Sequence, residues 1–350
     1  MLYLTLLIST KQKCKILLVL DMFSHIYPKK FYKDYVRSQL PFTPFVDAGY
    51  GPEGERFLDT DYRIKVLKKF GIDTAVVTLA QPSIWSHIPE RDVLRLIRAG
   101  NDGMAEIAQK NPESLVSVAT VPLLNGEGLD ELDRSIRDLG LKGLEIFSNY
   151  AGKPIDMPEM LPFYEKMAKY DLPIWIHPVS WPHYDWSFDY DLVKIFGWPY
   201  DTTLAVSRLV FSGILAKYPN LKLIIHHLGG MIPYYAERLR GFIDDPLKTK
   251  PPGVKREKDS SETVGLSEHP VQYFRKMYGD TVVNGSLGAL ECAYRFYGPE
   301  HIVFATDYPF GPEKGERWID ETLKSIRDFD IPAEEKELIL DGNARKMLKL

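Results

Sequence analysis

The sequence predicts a parallel α/β barrel, the (β/α)8 or TIM barrel, as a single domain over residues 1–350. Three observations carry that prediction. Short runs rich in Val, Ile and Leu recur around 15–21, 74–79, 115–119, 142–147, 172–177, 222–227, 278–284 and 301–306. Near-continuous apolar runs of that length describe strands buried on both faces, as in an all-parallel sheet. The stretches between them are longer and amphipathic, as crossover helices are. The third observation is a polar residue where a run gives out: His25 after the first, then His177, His227 and Asp307. The strand C-termini of such a barrel converge on one mouth, where its chemistry is done.

Taken in order, the apolar opening MLYLTLLIST has no basic residue before it and no small-residue cleavage site after it, and Lys11, Lys13 and Lys15 interrupt it. It reads as neither signal peptide nor membrane span. Residues 1–14 are either an upstream extension or a short strand across the barrel bottom. About 50 residues separate the first run from the second, too many for an ordinary βα loop, so residues 26–60 are expected to form a lid or insertion above the mouth. Glu90–Asn111 sets Val93, Leu94, Ile97, Met104 and Ile107 near helical spacing. It stops at Asn111-Pro112, because proline disfavours helix in the preceding residue. Thr202–Tyr218 behaves likewise before Pro219.

After the fifth run, residues 180–200 hold Trp181, His183, Tyr184, Trp186, Phe188, Tyr190, Phe196 and Trp198. This aromatic surface is either a wall against substrate, with Trp181 and His183 in contact with it, or a face packed on a neighbouring subunit. The charged stretch Lys248–Lys258 contains Pro251, Pro252 and Gly253 and reads as a solvated loop.

A 45% hydrophobic chain of this length buries a large core, and its net charge of −4 comes from interspersed signs, 44 basic against 48 acidic residues. There is no basic stripe to track nucleic-acid phosphates. Cys14 and Cys292 are the two cysteines and neither has a CxxC neighbour. That excludes a disulfide framework and a thiolate metal site, and it fits the reducing cytoplasm.

Three histidines and an aspartate at one mouth are the raw material of a catalytic metal site. His177 is followed by Pro178, which ends the strand ladder, and Asp307 by Tyr308-Pro309, which delays the next helix. His226 and His227 are neighbours, and neighbours on a strand point to opposite faces. One of them should enter the mouth while the other packs outside. His87, His183, His269 and His301 have no comparable setting and read as surface or packing residues, His183 doubling as a substrate contact.

These residues belong to a longer series of markers: Asp21-Met-Phe-Ser-His25-Ile-Tyr-Pro28, Gly140–Gly143, Ile174-Trp-Ile-His177-Pro178, Gly197-Trp-Pro199, Asp201-Thr-Thr203, and Tyr218-Pro-Asn-Leu-Lys-Leu223. His227-Leu-Gly-Gly-Met-Ile-Pro233, Ala305-Thr-Asp307-Tyr-Pro-Phe310 and Gly342-Asn-Ala344 complete it. In this order the chain, from about residue 19 onward, resembles the amidohydrolase superfamily. The resemblance is to the branch of aminocarboxymuconate-semialdehyde decarboxylase and the resorcylate and related benzoate decarboxylases.

The resemblance implies a distorted (β/α)8 barrel holding one divalent metal ion, zinc or else manganese, through His25, His177 and Asp307. His227 matches the active-site histidine, which polarises metal-bound water, and Arg238 a substrate-carboxylate arginine that reaches across a homodimer interface. One position departs: the family opens His-x-His or Glu-x-His, and this chain has Phe23-Ser24-His25. Phe23 cannot coordinate, so three protein ligands remain and metal affinity should fall.

The expected activity is non-oxidative decarboxylation of a small unsaturated or aromatic carboxylic acid. Metal-dependent hydrolysis of a lactone, amide or ester is the alternative, and a metal-depleted, non-catalytic barrel the third. Neither a nucleic acid nor a membrane is expected as a partner.

Overall fold

The computed structural model describes residues 18–33, 55–79, 90–121, 124–179, 185–245 and 265–350. The eight runs become parallel strands in chain order, the first four giving β1 (Leu20–Ile26), β2 (Thr74–Leu79), β3 (Leu115–Ser117) with β4 (Ala119–Thr120), and β5 (Leu144–Phe147). A small antiparallel hairpin follows, β6 (Asn149–Tyr150) with β7 (Lys153–Pro154). Then come β8 (Pro173–His177), β9 (Lys222–Ile225), β10 (Tyr278–Asp280) and β11 (Ile302–Val303).

One sheet runs β1-β2-β3 and the other β4-β5-β8-β9-β10-β11. Two seams join them. At Val118 the third run passes from one neighbour to the next: Val118 N–H donates to Val77 O (3.3 Å) and Ala119 N–H to Gly143 O (3.0 Å). On the other side Met22 N–H donates to Phe304 O (2.8 Å), His25 N–H to Tyr308 O (2.7 Å) and Asp307 N–H to Phe23 O (3.0 Å). The last strand is thereby laced to the first.

Side-chain alternation divides the core into two layers. Ala75, Val77, Leu144, Ile146, Ile174, Ile176, Leu223, Ile225, Ile302 and Phe304 face the surrounding helices in the larger cluster. Leu20, Met22, Phe23, Val76, Val116, Val118, Trp175, Ile224, Val303 and Ala305 form a second cluster that fills the barrel interior. Trp175 plugs that interior: it is fully buried, and its indole N–H donates to Met22 O at 2.7 Å. Met22 and Phe23, though consecutive, both face inward because the β1–β2 register slips between Asp21 and Ser24. A bulge re-aims side chains in this way. Gly143 lets β5 lie close to β8, since a Cβ there would meet Pro173 O and the Trp175 ring at 2.5 Å.

Several boundaries differ from expectation. The first strand continues through Ile26, paired to Leu79, so His25 lies within it instead of following it. The sixth stops at Ile225 and turns at His226–Gly229, where His227 (φ 56°) and Leu228 (φ 52°) adopt left-handed backbone. The helix expected over 202–218 is Trp198–Phe211, then a break at Gly213 (φ 78°), then Ile214–Lys217. Of the insertion after β1, residues 34–54 lie outside the described residues, as do 1–17 with Cys14, Trp181, His183, His87 and the 248–258 loop. Its described end holds helix Glu55–Leu58 and helix Thr60–Phe70, the latter capped by Asp59, whose carboxylate accepts from Tyr62 N–H at 3.0 Å. Among the described residues no helix is long and apolar enough to cross a membrane.

Candidate active site

The interior parity that stacks Val76, Val118, Trp175, Ile224 and Ala305 continues upward into a polar layer. Two residues further along the same faces come Thr78, Thr120, His177, His226 and Asp307, and Glu145 and Asp280 share that inward face on β5 and β10. Burial of so many polar groups is tolerable only where they bond to one another or to a ligand.

On one side of this layer, donor atoms of His25, Glu145 and His177 lie within 4.8 Å of one another. His177 Nδ1–H donates to Pro178 O at 2.8 Å, which fixes the tautomer and leaves Nε2 with its lone pair. Burial, reinforced by His25 and His226 nearby, holds the His177 pKa well below the usual value, so the ring stays neutral. His25 is fully buried between Thr78 Oγ1, 2.9 Å from Nδ1, and Asp307 Oδ1, 3.0 Å from Nε2. Glu145 is buried too; Thr120 Oγ1–H donates to its Oε2 at 3.1 Å, while Oε1 has no partner. Burial pushes its pKa up to about 8, against the pull of the Thr78 and Thr120 hydroxyls.

The fit to a divalent cation follows from this donor set. Imidazole and carboxylate ligands sit about 2.0–2.2 Å from such an ion, so ligand atoms lie at most about 4.4 Å apart. The observed spread closes with small side-chain rotations. Phe23 faces the same centre, its ring 4.4 Å from that of His25 and 5.6 Å from that of His177.

Across the mouth the arrangement changes. Asp280 clasps the histidine pair: its Oδ2 bonds His226 Nδ1, and its Oδ1 accepts from His227 N–H at 3.0 Å. The His226 ring stacks on Phe23 with centroids 3.6 Å apart and lies 5.6 Å from the His177 ring; its Nε2 is buried without a partner. Burial lowers the pKa of both histidines and raises that of Asp280 to about 7.

This corrects the expectation for the pair. Ile224 faces the barrel interior, so by period two His226 faces it as well, and the chain then leaves the strand. His227 sits in a left-handed turn, half-buried, 6.3 Å ring to ring from His226, with its own Nδ1 buried and unpartnered. Strand alternation cannot assign a residue that is no longer in a strand.

A further layer braces the first strand. Asp21, fully buried, accepts from Phe23 N–H (3.1 Å) and from Thr306 N–H (3.1 Å) and Oγ1–H, tying β1 to the segment that carries Asp307. Arg63, from helix Thr60–Phe70, donates to His25 O and stacks over the Tyr308 ring at 4.7 Å.

The structure thus gathers His25, His177, Asp307, His226 and Phe23. It leaves Arg238 exposed on helix Ile232–Asp244, over the Phe242 ring at 4.8 Å and beside an open cavity of about 340 Å³. Trp181 and His183 lie outside the described residues. Glu145 and Asp280 were missed, and the signal was there: each is a carboxylate inside or closing an apolar run, at 142–147 and 278–284.

A family model described as amidohydrolase matches residues 56–350. The 2-amino-3-carboxymuconate-6-semialdehyde decarboxylase of Dictyostelium discoideum is 29% identical over 293 residues, covering 83% of this chain and 77% of that one. The crystal structure of 5-carboxyvanillate decarboxylase from Sphingomonas paucimobilis superposes with a TM-score of 0.79 at 23% identity, over 95% of this chain and 99% of the other. That of a dihydroxybenzoic acid decarboxylase from Polaromonas sp. JS666, with bound manganese and the inhibitor 2-nitroresorcinol, gives 0.76 at 24% identity, over 95% and 97%.

Proposed function

This chain belongs to the amidohydrolase family, and from that premise we propose that its mouth performs metal-dependent, non-oxidative decarboxylation of a small aromatic or unsaturated carboxylic acid. The observation that carries the reading is the donor cluster of buried His25 and Glu145 with half-buried His177, faced across Phe23 by an imidazole that Asp280 holds in place. Decarboxylases of aromatic and muconate-type acids among the relatives support it.

His25, His177 and Asp307 are the ligands we assign to one divalent cation. When bound, the cation supplies a positive centre that anchors the substrate's carboxylate or a neighbouring oxygen. The two imidazoles and the carboxylate suit zinc and manganese alike. The chain's own part is the proton. Asp280, its carboxyl raised by burial, gives its proton to His226 Nδ1 as His226 Nε2–H gives its own to the carbon that bears the carboxylate, so one proton moves in and the ring stays neutral. The C–C bond then breaks, its electron pair stays with that carbon to restore the unsaturated system, and carbon dioxide leaves. Hydrogen replaces carboxylate with no oxidant consumed. His227, bonded to the same Asp280 through its backbone N–H, matches the active-site histidine of the family resemblance, and we assign it the second place in the pair. Phe23, stacked on His226, presents an apolar surface that keeps water from competing for that proton.

Two further readings rest on the surface. Trp186, Phe188, Phe196 and Tyr234 are 54–77% exposed, and we assign them to a homodimer interface, with Arg238 reaching a substrate carboxylate of the partner subunit. The cytoplasm is the location that the sparse cysteines favour.

The test is carbon dioxide release from hydroxybenzoates and muconate-type acids, run beside elemental analysis of the purified protein. Turnover on at least one acid with about one equivalent of metal per chain is expected. Bound metal with hydrolysis of lactones or esters and no carbon dioxide would replace this reading with hydrolysis.

A further inference from the structure

We propose that Glu145 is itself a ligand of the cation, so that β5 supplies the donor that the Phe23 position of β1 does not. The inference rests on the reading that the mouth holds a divalent ion. Glu145 is 1% exposed and sits in a strand whose other residues, Leu144, Ile146 and Phe147, are apolar. A carboxylate in such a place needs a positive partner, and among the described residues no Lys or Arg is set against it. Only one of its oxygens is hydrogen-bonded; Oε1 is buried and unpartnered. The donor atoms that lie within 4.8 Å of it are those of His25 and His177. An unpaired acceptor beside one buried and one half-buried imidazole is a coordination site.

Thr78 fits the same picture. Its Oγ1 lies 2.9 Å from His25 Nδ1 and faces Glu145. With His25 Nε2 turned to a cation, Nδ1–H donates to Thr78, the kind of outer bond that orients a ligating histidine. A consequence concerns which ion is held. His25, His177, Glu145 and Asp307 make four protein donors, which would close a tetrahedral zinc site against substrate. An ion that accepts six ligands, such as manganese(II), keeps two positions open. The donor set therefore selects a six-coordinate ion for catalysis.

The experiment titrates manganese(II) into the full-length, metal-stripped protein and follows free ion by electron paramagnetic resonance. It compares the wild type with Glu145→Gln, Glu145→Asp and the double variant Phe23→Glu/Glu145→Gln, and records the visible spectrum of each cobalt(II) form. The expected result is one ion per wild-type chain and an affinity loss in Glu145→Gln beyond the ~10–100-fold that removal of an outer partner costs. The cobalt spectrum should change, Glu145→Asp should bind with intermediate affinity, and the double variant should recover affinity, because position 23 faces the same centre. Wild-type affinity and an unchanged cobalt spectrum in Glu145→Gln overturn the proposal while leaving the metal site standing. A wild type that binds no manganese overturns the metal reading, and this inference falls with it. If Glu145→Gln does not fold, Glu145→Asp decides: an unchanged affinity and spectrum there overturn the assignment.

Discussion

Strands β1, β5 and β8 bring lone pairs to the mouth, whereas β9 and β10 bring hydrogen bonds. On the first side Glu145 Oε1 is a buried acceptor without a donor and His177 Nε2 keeps its lone pair, a condition that a cation relieves. On the second side Asp280 engages both histidines and leaves one imidazole nitrogen, His226 Nε2, turned inward. On the proposed reading one half holds the cation and the other handles the proton. Phe23 stands between them, touching the rings of His25, His177 and His226. A barrel can assign binding and proton transfer to different strands because each strand end contributes one inward side chain to the same layer.

Asp307 is where the halves meet, since it follows β11 and bonds His25 on β1. Asp307→Ala should therefore produce the largest effect: loss of most bound metal, read by elemental analysis, and turnover at background. Retained metal with lost turnover would move Asp307 to the proton half and dissolve the division at its hinge.

Substitutions in the second half should leave metal in place. Asp280→Asn can still hydrogen-bond His226 Nδ1 but has no proton to pass to it, which uncouples the histidine from its proton supply. Both Asp280→Asn and His226→Asn should lower turnover about 10²–10⁴-fold, the usual size of a positioned acid–base contribution. His227→Asn should cost less. A larger loss in His227→Asn than in His226→Asn would return the leading role to the residue that the family resemblance indicated.

How much of this was legible beforehand depended on where the backbone stayed regular. The eight-strand order could be read because parallel strands buried on both faces leave uninterrupted apolar runs. That His177 and Asp307 lie at the mouth could be read because each ends or follows an apolar run, whereas His25 lies inside a strand that runs on past its apolar run. The histidine pair could not be settled by alternation alone: β9 stops at Ile225, and the left-handed turn at His227 has no sequence mark beyond Gly229-Gly230. Counting inward from Ile224 would have chosen His226. Glu145 and Asp280 do not stand out by position at a strand end; their mark is a charged residue within an apolar run, which is the stronger anomaly. Whether Arg63 would be buried was beyond local pattern, since its partner His25 O is 38 residues away.

Phe23→His probes the boundary between the halves and should have a moderate effect. It adds a donor to the metal side at a position 4.4 Å, ring to ring, from His25. Metal affinity should rise while denaturant unfolding shows a loss of roughly 1–3 kcal/mol, because a buried phenyl is exchanged for a polar ring. Unchanged affinity in a folded variant would mean that position 23 serves the proton side alone.

The smallest expected effect is the pH dependence of stability in the metal-free protein, where the two halves pull in opposite directions. Burial raises Asp21 and Asp280 to about 7 and Glu145 to about 8, so between their ordinary values near 4 and these raised ones the native state holds more protons than the unfolded chain. Stability from these three groups falls as pH rises through that window. Burial lowers His177, His226 and His227, so below their ordinary value of 6.5 the unfolded chain holds more protons and stability rises with pH. The two trends oppose each other up to about pH 6.5, where the histidines are neutral in both states and only the carboxyls still titrate. Denaturant midpoints of the stripped protein should therefore peak between about pH 5 and 6 and decline toward pH 8, by at most about 1.4 kcal/mol per pH unit for each proton involved. Adding manganese should flatten the upper part of that decline, because Glu145 is then ionised in the folded state as well. A decline that persists unchanged with the metal bound would place Glu145 outside the cation's reach and shift the fall onto Asp21 and Asp280.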